Sequence, residues 1–206
     1  MKVQIFARGE LLTNTYFCTD ESTGEAIIID PGLRPDLIYA KIREKDLKVK
    51  YILLTHGHFD HALGCRDLKE ATGAPVCVHF ADAEMLSDPE KNSANVYYGF
   101  DCDYPAVVPD ITFSDGDTFP LGENIFRVVH TPGHTGGSCV FVCGEYLFSG
   151  DTVFSDGFGR TDLYGGDFET LASSIEKLRA LGGSYKLCPG HGSTRASFSL
   201  KDLAFY

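Results

Sequence analysis

The chain has 206 residues, 43% apolar and 23% charged, which is the size and balance of one ordinary globular domain spanning residues 1–206. Its 18 basic and 29 acidic residues leave a formal charge of −11 with no basic block, which argues against a nucleic-acid backbone or an anionic membrane and for a small-molecule partner. No apolar run resembles a signal peptide or approaches a membrane span, so the expected location is cytoplasmic.

In chain order, Lys2 to Ala7, Asn14 to Thr19 and Glu25 to Ile29 are short β-rich runs separated by Gly9-Glu10 and Ser22-Thr23-Gly24, the pattern of a strand meander ending in Asp30-Pro31-Gly32. Pro35 to Asp46 carries Leu37, Ile38 and Ile42 on one helical face and leads into the apolar run Tyr51 to Leu54, read as a buried strand. Asp60 to Thr72 reads as the next helix, closed by Gly73, followed by a strand from Val76 to Phe80 and a helical segment from Ala81 to Leu86. Ser87 to Asp110 is polar, marked by proline and rich in tyrosine, and is expected to be a lid that turns Tyr97, Tyr98 or Tyr104 toward a pocket. The second half repeats the first: Ile111 to Phe113, Asp117 to Leu121, Ile125 to Thr131, Ser138 to Cys143 and Tyr146 to Ser149 are strands, Phe168 to Leu181 a helix, and Tyr185 to Cys188 a final strand. Two strand groups with helices outside each imply a four-layer αββα sandwich in the α/β class.

The chemistry concentrates in Thr55-His56-Gly57-His58-Phe59-Asp60-His61, directly behind the buried strand. His56 and His58, two apart in an extended segment, point the same way and can grip one cation, while Asp60 and His61 begin the next turn and can reach a second. Three later strand ends add His134 after Pro132-Gly133, Asp151 after Ser149-Gly150 and His191 after Pro189-Gly190. Glycine and proline there let the backbone turn tightly and present a side chain inward. Singly, each could be a loop residue or a turn cap, but five of the seven histidines fall at such strand ends. The other two, His79 and His130, read as loop-orienting residues. The seven cysteines (18, 65, 77, 102, 139, 143 and 188) form no CxxC pair and read as buried thiols; Cys188, three residues before His191, is the one placed to be a nucleophile, with packing the favoured reading.

In order and spacing, Thr-His-Gly-His-Phe-Asp-His, Pro-Gly-His-Thr, Ser-Gly-Asp-Thr and Pro-Gly-His-Gly resemble the metallo-β-lactamase superfamily across essentially the whole chain. Gly159-Arg160-Thr161-Asp162 resembles a stretch of glyoxalase II-like hydrolases (hydroxyacylglutathione hydrolases), especially the short bacterial form. The resemblance implies a first metal on His56, His58 and His134, a second on Asp60, His61 and His191, and Asp151 bridging them. Zinc is the expected ion, with iron and manganese accepted by the same donors.

Two such ions, about 3.5–4 Å apart, can share a water and lower its pKa toward about 7, giving a bridging hydroxide that attacks an acyl carbon. Asp60 would then orient that water and accept its proton. A thiolate leaves without a strong general acid, which favours thioesters. Arg160 stands at the family's basic glutathione contact and is expected to bind an anionic part of the substrate, or else to pair with Asp162 or Asp167. Asp162 stands where the family uses a tyrosine, and the extra C-terminal substrate-binding domain of full-length glyoxalase II is not expected. The alternatives are a mononuclear-iron persulfide dioxygenase using His56, His134 and Asp151, a hydrolase of another small ester, lactone or phosphodiester, a β-lactamase, and a module without activity.

Overall fold

The computed structural model of the chain describes residues 1–7, 11–32, 35–100 and 103–203, so the expected Gly9-Glu10 turn and Cys102 lie outside the described residues. The first half contains β1 (Lys2–Ala7), β2 (Asn14–Thr19), β3 (Glu25–Ile29), α1 (Pro35–Glu44), β4 (Lys48–Leu53), α2 (Phe59–Ala62), α3 (Cys65–Thr72), β5 (Val76–His79), a 3₁₀ segment (Phe80–Ser87), α4 (Ala94–Tyr98) and β6 (Ile111–Phe113). The second half contains β7 (Thr118–Leu121), β8 (Asn124–His130), β9 (Cys139–Cys143), β10 (Tyr146–Gly150), α5 (Phe168–Leu181), β11 (Ser184–Pro189) and β12 (Arg195–Ser199). One sheet runs in the order β1-β2-β3-β4-β5-β6 and the other β12-β11-β10-β9-β8-β7. Parallel pairing joins β3 to β4, β4 to β5, β5 to β6 and β10 to β11; the remaining pairs are antiparallel.

Side-chain alternation builds the layers. On β3, Ile27 and Ile29 join Tyr16, Phe113, Phe126, Phe141 and Phe148 between the sheets, whereas Ile28 faces Ile38 of α1 and Leu68 of α3. Burial on both faces is why this strand reads as an unbroken apolar run. On the far side, Leu171, Ile175 and Leu178 of α5 cover Val129, Val140, Leu147 and Leu187. The result is the four-layer αββα sandwich. Helix α5 takes the expected bounds because the Asp167 carboxylate accepts from Thr170 N at 2.7 Å and Gly182, at φ 65°, ends it. Among the described residues, no helix is long and apolar enough to cross a membrane.

The structure differs from the sequence reading at four places. The expected helix from Asp60 to Thr72 is two, because Gly64 N donates to Pro31 O at 2.8 Å and turns the chain between α2 and α3. Ile111 to Phe113 joins the first sheet rather than the second group, pairing parallel with β5, while the neighbouring Asp110 accepts from Val76 N. β12 follows what was read as the final strand; it is an edge strand on which Phe198 alone is buried, so it lacks the apolar alternation that marks the others. The stretch from Ser87 to Asp110 carries a helix, α4.

Phe148 lies at the centre of the inter-sheet layer, with ring centroids of Tyr16 and Phe126 at 5.3 and 5.8 Å. Phe148→Ala should destabilise the fold by about 3–5 kcal/mol, read as a lower urea midpoint at unchanged slope.

Candidate metal centre

The loops after β4, β8, β10 and β11 meet at one edge of the sandwich. His58 precedes α2 in extended backbone (φ −67°, ψ 148°), and the rings of His56, His58 and His134 form a near-equilateral triangle with centroid separations of 4.8, 4.7 and 4.7 Å. Beside it, His191 Nε2 lies 3.2 Å from Asp60 Oδ2 and 3.3 Å from His61 Nε2. Asp151 stands between the two groups, with Oδ1 3.4 Å from His61 Nε2 and Oδ2 3.6 Å from His134 Nε2 and 3.4 Å from His191 Nε2. The pairing of Gly150 with Pro189 across β10 and β11 is what sets Asp151 beside His191.

The outer hydrogen bonds decide which nitrogens face inward. His134 Nδ1 donates to Arg160 O at 2.7 Å, His191 Nδ1 to Leu11 O at 3.1 Å and His61 Nδ1 to Asp30 Oδ2 at 2.9 Å. Thr55 Oγ1 gives its proton to Asp30 Oδ2 and so accepts from His56 Nδ1 at 3.1 Å. In the neutral rings, each of these four histidines therefore presents an Nε2 lone pair to the centre. His56 Nε2 and Asp151 Oδ1 are buried without a hydrogen-bond partner, and His58 Nδ1 lies 3.0 Å from the inward-facing His134 Nε2. Lone pairs converging in a buried site are costly unless a cation compensates them, so these residues fit a metal. Three overlapping donor groups, His56-His58-His134, His56-His61-Asp151 and Asp60-His61-His191, each gather their ligand atoms within 4.8 Å.

Burial, reinforced by neighbouring imidazoles, holds His56 well below the usual histidine range and His58 down to about 3. Burial also opposes charge on His61 and His191, but the surrounding carboxylates outweigh it and raise them to about 9 and about 10. Asp60 and Asp151 are lowered despite burial, by His61 and His191.

The family model described as metallo-beta-lactamase superfamily matches residues 8–191. This chain belongs to the metallo-β-lactamase superfamily. An uncharacterised Mycobacterium leprae protein is 36% identical to it over 94% of this chain and 93% of its own. Hydroxyacylglutathione hydrolase GloC of Haemophilus influenzae is 37% identical over 82% of this chain and 80% of its own. Among solved structures, the B3 metallo-beta-lactamase BLEG-1 superposes with a TM-score of 0.88 at 30% identity, covering 97% of this chain and 95% of that one. TTHA1623 in a di-iron-bound form gives 0.82 at 31%, over 97% and 96%, and ETHE1 from Myxococcus xanthus 0.77 at 29%, over 98% and 81%.

In this metallo-β-lactamase-superfamily chain His58, Asp60, His134, Asp151 and His191 floor a cavity of about 340 Å³. Its walls are Leu11, Phe59, Ser93, Val96, Tyr97, Arg160 and Leu163. Of the three tyrosines, Tyr97 lines the cavity. Tyr98 packs edge-on against Phe59 instead, and Tyr104 is buried behind Phe59 beside Ala94. The Arg160 guanidinium makes two 2.7 Å bonds to Asp162, so the residue serves the centre through its carbonyl on His134. His79 and His130 lie apart from the donors, stacked at 3.9 Å; His79 Nδ1 accepts from Ala81 N and His130 Nε2 donates to Gly136 O. Cys188 is buried in the inter-sheet layer, and burial pushes its thiol up to about 12, which rules it out as a neutral-pH nucleophile.

Three positioning residues escaped the sequence reading. Asp30 holds His61 and Thr55, Thr13 Oγ1 donates to Asp60 Oδ2 at 2.7 Å, and buried Asp82 accepts from Gly57 N, Gly137 N and Thr135 Oγ1. Asp82 thereby fastens the His56-to-His58 turn to the loop carrying His134. The available signal was an acid in an otherwise apolar setting: after three isoleucines for Asp30, between two alanines for Asp82.

Gly190 is required by proximity, since a Cβ there would lie 2.1 Å from Asp151 Oδ1 and 2.7 Å from His61 Cε1. Gly190→Ala should lower metal content below half of wild type, by elemental analysis, while the circular dichroism spectrum is kept. Metal binding must also displace the protons that His61 and His191 hold at neutral pH in metal-free protein. Affinity should therefore rise as pH rises toward 9 and weaken as it falls, with proton release at pH 7 visible by titration calorimetry in buffers of different ionisation enthalpy.

Proposed function

We propose that this protein is a binuclear metal-dependent hydrolase of thioesters. The observation that carries the reading is the second donor group. Asp60, His61 and His191 converge beside a complete His56-His58-His134 triangle, with Asp151 within 3.6 Å of donors from both groups. A single ion on the histidine triangle would leave Asp60, His61 and His191 as a cluster paired with one another, more polar groups than orienting one ion requires. The likeness to TTHA1623 in its di-iron-bound form supports two ions, and the likeness to GloC supports thioester chemistry. Zinc is the proposed ion, with iron or manganese as the other choices.

In this reading His56, His58 and His134 would hold one ion and Asp60, His61 and His191 the other, with Asp151 available to both. When bound, the ions supply a nucleophile from water near neutral pH and Lewis acidity for the developing oxyanion. The chain's own part is orientation. Asp30, Thr55, Arg160 O and Leu11 O fix the imidazole tautomers, and Thr13 directs Asp60, whose carboxylate is the proposed acceptor of the water proton. A C–O bond forms at the acyl carbon, the C–S bond breaks and the sulfur leaves as thiolate, so no protonated side chain is required at the leaving group. Tyr97 and the half-apolar wall contribute contact area for a small acyl compound. The net charge of −11 and the absence of a basic block support a small-molecule substrate rather than work on nucleic acid or at an anionic membrane.

The second reading is a mononuclear-iron persulfide dioxygenase, with which the ETHE1 likeness is compatible. Metal per chain, measured in wild type and His191→Ala under metal-replete anaerobic conditions, separates the two. The expected result is nearly two ions falling toward one, with hydrolysis of a thioester panel lost in the variant. One iron per chain in both proteins, with oxygen uptake on glutathione persulfide, would establish the dioxygenase instead.

A further inference from the structure

Asn14 opens β2, is fully buried, and reaches across to the turn that carries His191. Its Nδ2 donates to Pro189 O and to Gly192 O, both at 3.0 Å, and its backbone N–H donates to Gly190 O at 2.7 Å. One residue thereby holds carbonyls on both sides of His191. Which end of the amide faces the turn follows from its chemistry, because two carbonyl oxygens can be met only by N–H donors. The opposite end is the informative one: Asn14 Oδ1 is buried with no hydrogen-bond partner. An orphaned buried acceptor costs stability, so what the fold draws from this side chain is its pair of donors.

The same short segment reaches the rest of the second donor group. Leu11 O accepts from His191 Nδ1 at 3.1 Å, and Thr13 Oγ1 donates to Asp60 Oδ2 at 2.7 Å. Among the described residues, no hydrogen bond runs from Leu11, Thr13 or Asn14 to His56, His58 or His134; His56 and His134 are fixed from Thr55 and Arg160 instead. His191 has the greatest need of such a hold. Its side chain is 27% exposed, whereas the other four histidines of the centre are buried, so packing alone does not fix its ring.

Resting on the binuclear reading, we propose that Asn14 is a positioning residue for the second ion. Its two N–H donors keep the Pro189-to-Gly192 turn where His191 meets Asp60 and His61, so affinity for the second ion depends on them and affinity for the first does not. The two donor groups are then separable from a residue that touches neither ion: without this clamp the triangle of His56, His58 and His134 stays intact.

The test reads metal content rather than turnover. Zinc bound per chain is measured by elemental analysis after equilibration at a series of buffered free-zinc concentrations, with the circular dichroism spectrum recorded alongside. Wild type should reach nearly two ions. Asn14→Leu, which keeps the volume and removes both donors, should need about tenfold or more free zinc for the second ion, with the midpoint for the first moved by less than about twofold. If Asn14→Leu does not fold, the smaller Asn14→Ala is read in the same way. Thr13→Val, which removes the bond to Asp60 and leaves the turn alone, should also shift only the second midpoint. Phe148→Ala, which destabilises the inter-sheet layer without touching a donor, should leave both midpoints in place, and a selective loss of the second ion there would mean that general stability, not Asn14, sets its affinity. Two ions in wild type, with both midpoints moved together or neither moved in the Asn14 variants, overturns this proposal alone. A wild type that stops at one ion overturns the binuclear reading and this proposal with it.

Discussion

The carboxylate of Asp30 is the constraint on which the metal edge depends. It ends β3 with φ 49°, a left-handed backbone that aspartate tolerates better than most residues, and its N–H donates to Leu53 O across the parallel pair. Oδ1 accepts from Thr55 N, Oδ2 from Thr55 Oγ1 and His61 Nδ1, and the Asp30 carbonyl from Thr15 Oγ1. One buried acid thus binds the ends of β2, β3 and β4 and sets the tautomer of two histidines, His61 directly and His56 through Thr55. Its desolvation is offset by these donors, and they are also the groups that shape the site, so local stability and ligand geometry share the same bonds.

The two sheets are fastened where the chemistry lies. Asn14 N donates to Gly190 O at 2.7 Å, Tyr16 OH to Pro189 O at 2.7 Å, and Cys139 N to Thr55 O at 2.9 Å, each crossing from one sheet to the other. Elsewhere the sheets meet through side chains such as Phe113, Phe119 and Phe141, which can slide more readily than hydrogen-bonded backbone. Ligands come from both halves, His56 to His61 from one and His134, Asp151 and His191 from the other. Distances near 3.5 Å between them require this direct backbone joining.

Much of this was legible in the chain itself, because the informative signals are local. Four ligand-type residues in six positions behind an apolar run stand out without any partner in view, and β-strands buried on both faces announce themselves by composition. What escaped depends on partners remote in sequence. Asp82 is understood only with Gly57 and Gly137, 25 and 55 residues away. The sheet to which Ile111 to Phe113 belongs is a matter of pairing, not pattern, and β12 is polar because an edge strand is solvated. Arg160 is the sharpest case: its two expected roles, ligand contact and loop pin, differ only in where one guanidinium points.

The six described cysteines are all buried, and Cys18, Cys77, Cys139, Cys143 and Cys188 share the layer between the sheets. Burial keeps each of these thiols protonated, with pKa values raised above the normal thiol range. Thiolates are strong competitors for soft and borderline cations, so a chain carrying both sulfur and imidazole donors must prevent the wrong set from capturing the ion. Here the folded sandwich sequesters the sulfur and leaves the imidazoles and carboxylates at its edge as the donors within a cation's reach, whereas an unfolded chain exposes both sets alike.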